Sequence, residues 1–155
     1  MSTASCSPET NVLPPSSTPI PVVCAVIEDA GKRVLLAQRP AHKHLGMKWE
    51  FAGGKVEPGE LPADALVREI KEELGCDVVI QRALPAFTHD YGAVRIAMMP
   101  FLCTLSPTSA APHPHEHVAL QWVALAEIDA VDLAPADWPV VQALRSHDGV
   151  GTLDT

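Results

Sequence analysis

The stretch from Gly54 to Cys76 reads GKVEPGELPADALVREIKEELGC and contains one predicted helix preceded by an acidic loop. Pro62 suits the first turn of a helix and Gly75 suits its end, which predicts a helix from Leu61 to Leu74. Apolar residues recur there at steps of three and four and predict one buried stripe, made of Ala63, Leu66, Val67, Ile70 and Leu74. We therefore expect this helix to pack on a core along that stripe.

Three glutamates crowd the same predicted helix. Glu69, Glu72 and Glu73 are three and four residues apart, so they share one face, and Arg68 lies beside them. Like charges stacked on one face weaken an isolated helix by roughly 0.2–0.5 kcal/mol per pair. Hard cations such as Mg²⁺ prefer oxygen ligands and usually contact substrate phosphates as well. The pattern predicts a metal platform, with a solvated acidic face as the alternative.

The loop in front of the helix suits the same chemistry. Gly53 and Gly54 have no Cβ, so their backbone can approach a phosphate or a metal closely. Glu60 adds a carboxylate near the helix start, where negative charge is favourable.

The rest of the chain is rich in predicted strands. Apolar and β-branched runs predict strands at Val22–Ile27, Val34–Ala37, Trp49–Gly54, Val78–Gln81, Leu84–His89, Val94–Leu105 and Val118–Val123. A helical turn is predicted from Leu125 to Ile128, and a second helix from Trp138 to Arg145 with Asp137 at its cap. Many strands with two well-separated helices predict the α/β class, as a sheet with a helix on each face.

Domain boundaries follow from composition. Residues 1–19 are rich in Ser, Thr and Pro, and we expect a disordered tail there. Residues 20–147 then form the single domain, and residues 148–155 a short C-terminal tail.

Bulk properties narrow the class of partner and the compartment. The net charge of −8 makes the chain a poor partner for polymeric nucleic acid or an anionic membrane, although a bridging metal would still allow nucleotide binding. The four cysteines form no C-x-x-C pair, so we expect reduced thiols, mostly in the core: Cys6, Cys24, Cys76 and Cys103. With no membrane-length apolar stretch and no secretion signal, we expect a cytoplasmic protein.

The Gly54–Cys76 stretch resembles the Nudix box, G-x5-E-x7-R-E-U-x-E-E-x-G-U, in which U is a bulky apolar residue. All seven fixed identities match: Gly54, Glu60, Arg68, Glu69, Glu72, Glu73 and Gly75. Ile70 fills the first U, and Cys76 departs from the last one as a small apolar residue. From Val22 to about Leu144 the chain is similar to the mutator-type branch of that family. Three segments look especially like the cytidine type: Trp49–Lys55, His115–His117 and Leu133–Asp137.

The resemblance implies a fold, a reaction and a cofactor. The fold would be the Nudix α/β/α sandwich with a mixed sheet between helices. The reaction would convert a nucleoside triphosphate and water into a nucleoside monophosphate and pyrophosphate. The cofactor would be Mg²⁺, with Mn²⁺ as a substitute, held by Glu69, Glu72, Glu73 and the backbone carbonyl of Gly54. Arg68 would orient the glutamates.

Further site residues follow from matched positions outside the box. Glu116 lies where mutator-type relatives carry a metal-binding or general-base glutamate, and Arg39, Tyr91 and Arg95 lie where the family holds the nucleotide. Asp137 occupies a position that tends to be Asn in relatives selective for 8-oxoguanine and Asp in the cytidine-like branch. An ionised carboxylate could accept from two guanine N–H groups or from cytosine N4–H, so its chemistry leaves both bases open. A plain helix cap is the alternative for Asp137.

Four functions remain open at this point. The first is a nucleotide-pool enzyme for oxidised triphosphates, with 8-oxo-dGTP as substrate and mutation avoidance as its role. The second is a pyrophosphohydrolase for CTP, dCTP or 5-methyl-dCTP. The others are a non-catalytic nucleotide-sensing Nudix domain and a zinc module built on the histidine loop. The expected partner is the triphosphate alone, bound by a monomer or a homodimer.

Overall fold

The computed structural model describes the backbone of residues 18–154 and the side chains of residues 18–146. Residues 1–17, which include Cys6 and most of the predicted N-terminal tail, lie outside this range. Residues 18–154 contain eight strands and two helices, in the order β1 (Ile20–Ile27), β2 (Arg33–Gln38), β3 (Trp49–Glu50), β4 (Gly53–Lys55), α1 (Pro62–Leu74), β5 (Val78–Ala83), β6 (Phe87–Asp90), β7 (Arg95–Leu105), β8 (Ala119–Ala124) and α2 (Trp138–Asp154). Two 3₁₀ turns, Leu125–Ala130 and Pro135–Asp137, precede α2.

The strands form two sheets. The larger sheet has the order β4-β1-β7-β5, and β6 pairs with the other end of the long strand β7. The pair β1–β7 is parallel and the other pairs are antiparallel, so this sheet is mixed. The smaller sheet has the order β3-β2-β8 and is antiparallel.

A separate core lies on each side of the central strand β1. Val23, Ala25 and Ile27 belong to the core that also contains Leu66 and Ile70 of α1. Cys24 and Val26, which alternate with them, belong to the core that receives α2 through Val140, Val141 and Leu144. Successive side chains of a strand point to opposite faces, so β1 supplies both cores. The predicted α/β/α sandwich with a mixed sheet is confirmed.

Helix α1 buries a slightly different stripe from the predicted one. Its buried residues are Ala65, Leu66, Ile70 and Leu74. Val67 is 41% exposed and Ala63 is also exposed, so those two assignments were wrong. Compared with the prediction, the helix is rotated about its axis. Ala65, Glu69 and Glu73, which are spaced four residues apart, therefore lie beside the core. This rotation brings two of the glutamates toward the sheet.

Three boundaries also differ from the prediction. The run Trp49–Gly54 forms two strands, because Glu50 pairs with Ala37 in the small sheet while Gly53 pairs with Cys24 in the large one. Strand β6 begins at Phe87, three residues later than expected. Helix α2 continues to Asp154, into the segment expected to be a tail, because two glycines weaken a helix without forbidding it.

The described cysteines match the expectation for thiols. Cys24, Cys76 and Cys103 are free and buried, and Cys76 packs in the core beside α1. Within residues 18–154, neither helix has the length and apolarity needed to cross a bilayer.

Candidate active site

Arg68 is the centre of a charged network that joins helix α1 to the acidic loop before it. Its Nε and Nη2 donate to the two carboxylate oxygens of Glu60 over 2.8 and 2.9 Å. Its Nη1 donates to Glu69 over 3.1 Å and, more weakly, to Glu72 over 3.4 Å. Nη2 also reaches the carbonyl of Lys55 at 3.2 Å. A guanidinium has a rigid fork of donors, so one residue ties the acidic loop and strand β4 to helix α1.

Two glycines of β4 allow the helix to approach the sheet. A Cβ on Gly54 would overlap the carboxyl group of Glu69, and a Cβ on Gly53 would overlap the backbone of Val23. The missing side chains therefore let Glu69 lie directly over the strand. The predicted close approach was that of a phosphate or a metal, and the neighbours seen here are the Glu69 carboxyl group and the Val23 backbone.

Glu73 is the most buried of the three helix glutamates. It accepts a hydrogen bond from the backbone N–H of Gly53, and its Oε1 is buried without a hydrogen-bond partner among the described residues. Burial, followed by the charges of Glu69, Glu50 and Glu116, raises the pKa of Glu73 to about 8. A buried carboxylate oxygen without a donor is costly. The site therefore favours positive charge at this point.

Glu116 lies in the loop before β8 and is exposed to solvent. Its charge raises the pKa of both Glu69 and Glu73, after larger contributions from burial and from nearer neighbours. The fold thus brings the loop glutamate to the helix glutamates, 43 and 47 residues away in sequence. Glu72, by contrast, is more exposed, with 56% of its side chain accessible.

A cavity of about 570 Å³ opens beside these glutamates. Of the predicted site residues, the cavity wall contains Gly54, Glu73, Glu116, Arg39, Tyr91 and Asp137. The remaining ones do not line the cavity: Arg68, Glu69 and Glu72 belong to the Arg68 network, and Arg95 is at the start of β7, opposite Asp90. The cavity also has apolar walls, built from Val22, Cys24, Phe51, Ile96 and Met98.

Asp137 is a buried acidic residue of the cavity wall, with 4% of its surface exposed. It ends the 3₁₀ turn before α2, and its carboxyl group accepts a hydrogen bond from the backbone N–H of Phe51. Burial, and next the charge of Glu50, raise the pKa of Asp137 well above its usual range. Tyr91 also lines the cavity and makes T-shaped ring contacts with His44 and His89, with ring centroids 5.5 and 4.5 Å apart.

Residues 18–144 match the NUDIX domain. This chain belongs to the Nudix family. It is 40% identical to the CTP pyrophosphohydrolase of Escherichia coli (strain K12) over 127 residues, which cover 82% of this chain and 92% of that protein. It is 42% identical to the 8-oxo-dGTP diphosphatase of Proteus vulgaris over 83 residues, or 54% of this chain and 74% of that one. The solution structure of the E. coli ORF135 protein superposes with a TM-score of 0.72 at 39% identity, covering 84% of this chain and 91% of that one.

The Nudix family generally uses divalent metals, and the charge distribution here fits a cation. The buried free oxygen of Glu73 and the mutual repulsion of Glu69, Glu73 and Glu116 would both be relieved by positive charge. Within the described residues, no three Asp, Glu, His or Cys side chains converge as a ready chelating group. Arg68 engages two of the helix glutamates, Glu69 and Glu72.

Sequence reasoning missed two residues of this Nudix site. Glu50 lines the cavity and accepts hydrogen bonds from Arg39 Nη1 at 3.0 Å and from His117 Nε2 at 2.9 Å. A signal was present, because Glu50 is a charged residue between Trp49 and Phe51 in an otherwise apolar run. His117 belonged to the His115–His117 segment, but nothing local indicated its partner Glu50, which is 67 residues away.

Proposed function

We propose that this Nudix protein is a Mg²⁺-dependent nucleoside triphosphate pyrophosphohydrolase that releases a nucleoside monophosphate and pyrophosphate. The observation that carries the proposal is the composition of one cavity wall. The same cavity is lined by Glu73, Glu116 and the glycines of β4, and also by Tyr91 and Asp137. A triphosphate next to the glutamates would therefore place its base near Asp137.

The acidic side of the cavity supplies the ligands that such a reaction needs. Glu69, Glu72, Glu73, Glu116 and the carbonyl of Gly54 would hold the cation, which when bound neutralises phosphate charge and lowers the pKa of a water. Arg68 keeps Glu69 in place, and the Gly53 N–H keeps Glu73 in place. Glu116 is solvent-accessible and near both of them, which suits a residue that accepts the proton of the attacking water.

Basic residues on the same wall provide contacts for phosphate oxygens. Arg39, Lys43 and Lys55 all line the cavity. Arg39 donates to Glu50 through Nη1 and to the carbonyl of His44 through Nε, so its guanidinium is held in a defined orientation. These cations offset the negative charge of the wall, which would otherwise repel a triphosphate.

The raised pKa of Asp137 favours a neutral carboxyl group, which suits a cytidine nucleotide better than an oxidised guanine nucleotide. A neutral carboxyl offers one donor and one acceptor, which match N3 and N4–H of cytosine. Reading two guanine N–H groups would instead require an ionised carboxylate, and burial beside Glu50 disfavours that charge. The chain is also 40% identical to the CTP pyrophosphohydrolase over 92% of that protein's length. We therefore place CTP, dCTP or 5-methyl-dCTP first and 8-oxo-dGTP second.

The test is pyrophosphate release from a panel of triphosphates, with and without Mg²⁺. The panel contains CTP, dCTP, 5-methyl-dCTP, dGTP and 8-oxo-dGTP, and kcat/KM is compared across bases. We expect Mg²⁺-dependent turnover and the highest kcat/KM for a cytidine nucleotide. A clear preference for 8-oxo-dGTP would reverse the order of substrates and make the protein a mutation-avoidance enzyme. No turnover on any substrate would leave a nucleotide-sensing domain as the function.

A matched pair of acidic variants tests whether turnover belongs to this site. Glu69→Gln removes a carboxylate of the network, and Asp64→Asn removes an exposed one from the first turn of the same helix. We expect the first to abolish most of the turnover and the second to retain it. Equal activity in both would remove the glutamates from the mechanism.

A further inference from the structure

The loop between β7 and β8 caps the C-terminal end of helix α1. The last four carbonyls of a helix have no partner within it. Here each one accepts a hydrogen bond: Lys71 O from Gly75 N at 3.0 Å, Glu72 O from His115 Nδ1 at 3.1 Å, Glu73 O from His115 N at 3.1 Å, and Leu74 O from His113 N at 2.8 Å. Three of the four donors come from the loop. The loop is therefore fixed to the helix that carries the glutamates.

A second anchor lies two residues further along the same loop. The side chain of His117 is 5% exposed, and its Nε2 lies 2.9 Å from Glu50 Oε2. The following residue, Val118, donates its N–H to the carbonyl of Gln38 at 2.8 Å. The first anchor attaches the loop to α1, and this one attaches it to the small sheet.

Glu116 lies between the two anchors. Its neighbour His115 contacts the backbone of Glu72 and Glu73, and its neighbour His117 contacts the side chain of Glu50. Without these contacts an exposed glutamate in a long loop would be free to sample many positions. We infer that His115 and His117 are positioning residues, which hold Glu116 against the glutamates of α1. This inference rests on the role given to Glu116 in the proposed function.

The two imidazoles do this with different nitrogens. A carbonyl and a carboxylate can only accept, so His115 donates from Nδ1 and His117 donates from Nε2. Asn can place its amide N–H near the position of Nδ1, and Gln can do so near Nε2. His115→Asn and His117→Gln therefore keep the donors, whereas His115→Ala and His117→Ala remove them. The rings have separate partners, which also distinguishes this arrangement from a shared zinc site.

The first experiment measures Mn²⁺ affinity by electron paramagnetic resonance, alongside kcat and the melting temperature. We expect each alanine variant to lose on the order of tenfold in Mn²⁺ affinity and in kcat, as is usual for residues that orient metal ligands. KM should change little. His115→Asn and His117→Gln should recover most of both losses. Recovery of the melting temperature alone would show a purely structural role and overturn the inference.

His113 supplies a matched control within the same loop. It caps Leu74 with its backbone N–H, so His113→Ala keeps that bond and removes an exposed ring whose centroid is 5.4 Å from that of His115. We expect this variant to keep wild-type Mn²⁺ affinity and kcat. If it lost as much as His115→Ala, the effect would come from the loop as a whole, and the assignment to His115 would be wrong.

A double-mutant cycle separates this inference from the proposed function. Glu116→Gln alone tests the function, which expects a large fall in kcat. In the Glu116→Gln background, His115→Ala should then lower kcat no further, because its effect passes through Glu116. An equal fold-loss in both backgrounds would overturn the positioning role while leaving the proposed function intact. Normal turnover of Glu116→Gln would remove the role of Glu116 and, with it, this inference.

Discussion

Arg68 donates two parallel hydrogen bonds to Glu60, with Nε 2.8 Å from Oε2 and Nη2 2.9 Å from Oε1. The two residues are eight positions apart, one in the acidic loop and one in helix α1. The same guanidinium also donates a hydrogen bond to Glu69. The Arg68–Glu60 pair therefore helps to orient Glu69. Substitution of Arg68 and substitution of Glu60 should therefore have different effects.

Arg68→Lys should lower activity while keeping the fold. An ammonium cannot reproduce the fork that bonds Glu60 and Glu69 together, although it keeps the charge. We expect kcat to fall by about 10–100-fold, the range typical when a residue that orients metal ligands is changed. The assay is pyrophosphate release, with circular dichroism to check folding. Arg82→Lys on the exposed side of β5 is the control and should match wild type.

Glu60→Gln should change the acid end of the stability curve. The hydrogen bonds from Arg68, and then that from the Glu57 N–H, lower the pKa of Glu60 to about 2. Its folded pKa is below the unfolded value of about 4.3, so its stabilising effect is complete above that value and is lost as the pH falls through 2. Urea unfolding should show the variant less stable than wild type at pH 7, with a gap that narrows below pH 4. A gap independent of pH would contradict the ion pair.

Glu73→Gln should separate stability from metal binding. Its buried Oε1 has no donor among the described residues, and three other carboxylates repel it. Without metal we expect the variant to melt at or above the wild-type temperature, because an unfavourable charge is gone. Added Mg²⁺ should raise the wild-type melting temperature and should raise that of the variant much less. Turnover should fall by orders of magnitude, and a variant with normal turnover would contradict the metal platform.

Asp137→Asn should stabilise the protein at neutral pH. Burial and the charge of Glu50 raise the pKa of Asp137, while Arg39 and the Phe51 N–H oppose the shift. The folded pKa is above the unfolded value of about 3.9, so the wild type loses stability as the pH rises beyond 3.9 and the neutral variant does not. Urea unfolding from pH 3 to 8 should show a gap that opens with pH.

The same variant tests how the base is read. Asn offers a donor and an acceptor, as a neutral Asp does, so kcat/KM for CTP should stay within about tenfold of wild type. Asp137→Ala offers neither and should lose more. If Asn and Ala lost cytidine turnover equally, Asp137 would act through a charge, and the cytosine assignment would fail.

The helix and its glutamates were predictable because they depend on local spacing. Pro62, Gly75 and the four-residue steps of Leu66, Ile70 and Leu74 act within a single element. Which residue completes the buried face was not predictable, because Ala65 and Val67 are both apolar and only the packing against β4 distinguishes them. The choice depends on where Gly54 meets Glu69, which is a contact between two elements.

The remaining differences come from long-range pairing. The run from Trp49 to Gly54 is apolar except for Glu50, and nothing local indicates that Glu50 joins one sheet and Gly53 the other. The histidine loop is a second example of long-range pairing. Its residues were predicted as an ordinary loop, but three of its donors cap the C-terminal end of helix α1. Hydrogen bonds between distant segments leave no periodic pattern in a sequence.

Gly75→Ala should cost more than the same change at Gly59, although both glycines have positive φ. Gly75 has φ 66° and Gly59 has φ 80°, so an alanine at either position is strained by roughly 1–2 kcal/mol. At Gly59 the new Cβ meets nothing within 4 Å, whereas at Gly75 it would lie 2.8 Å from the ring of His115. We expect both variants to lose stability in urea unfolding. Only Gly75→Ala should also lose kcat, because the displaced His115 ring moves the loop that carries Glu116. Gly75→Ala should therefore cost less stability in the His115→Ala background than in the wild type, since the clash is then gone. An equal loss in both backgrounds would show that strain at φ 66° is the whole cost, and that the glycine is needed for the turn and not for the histidine.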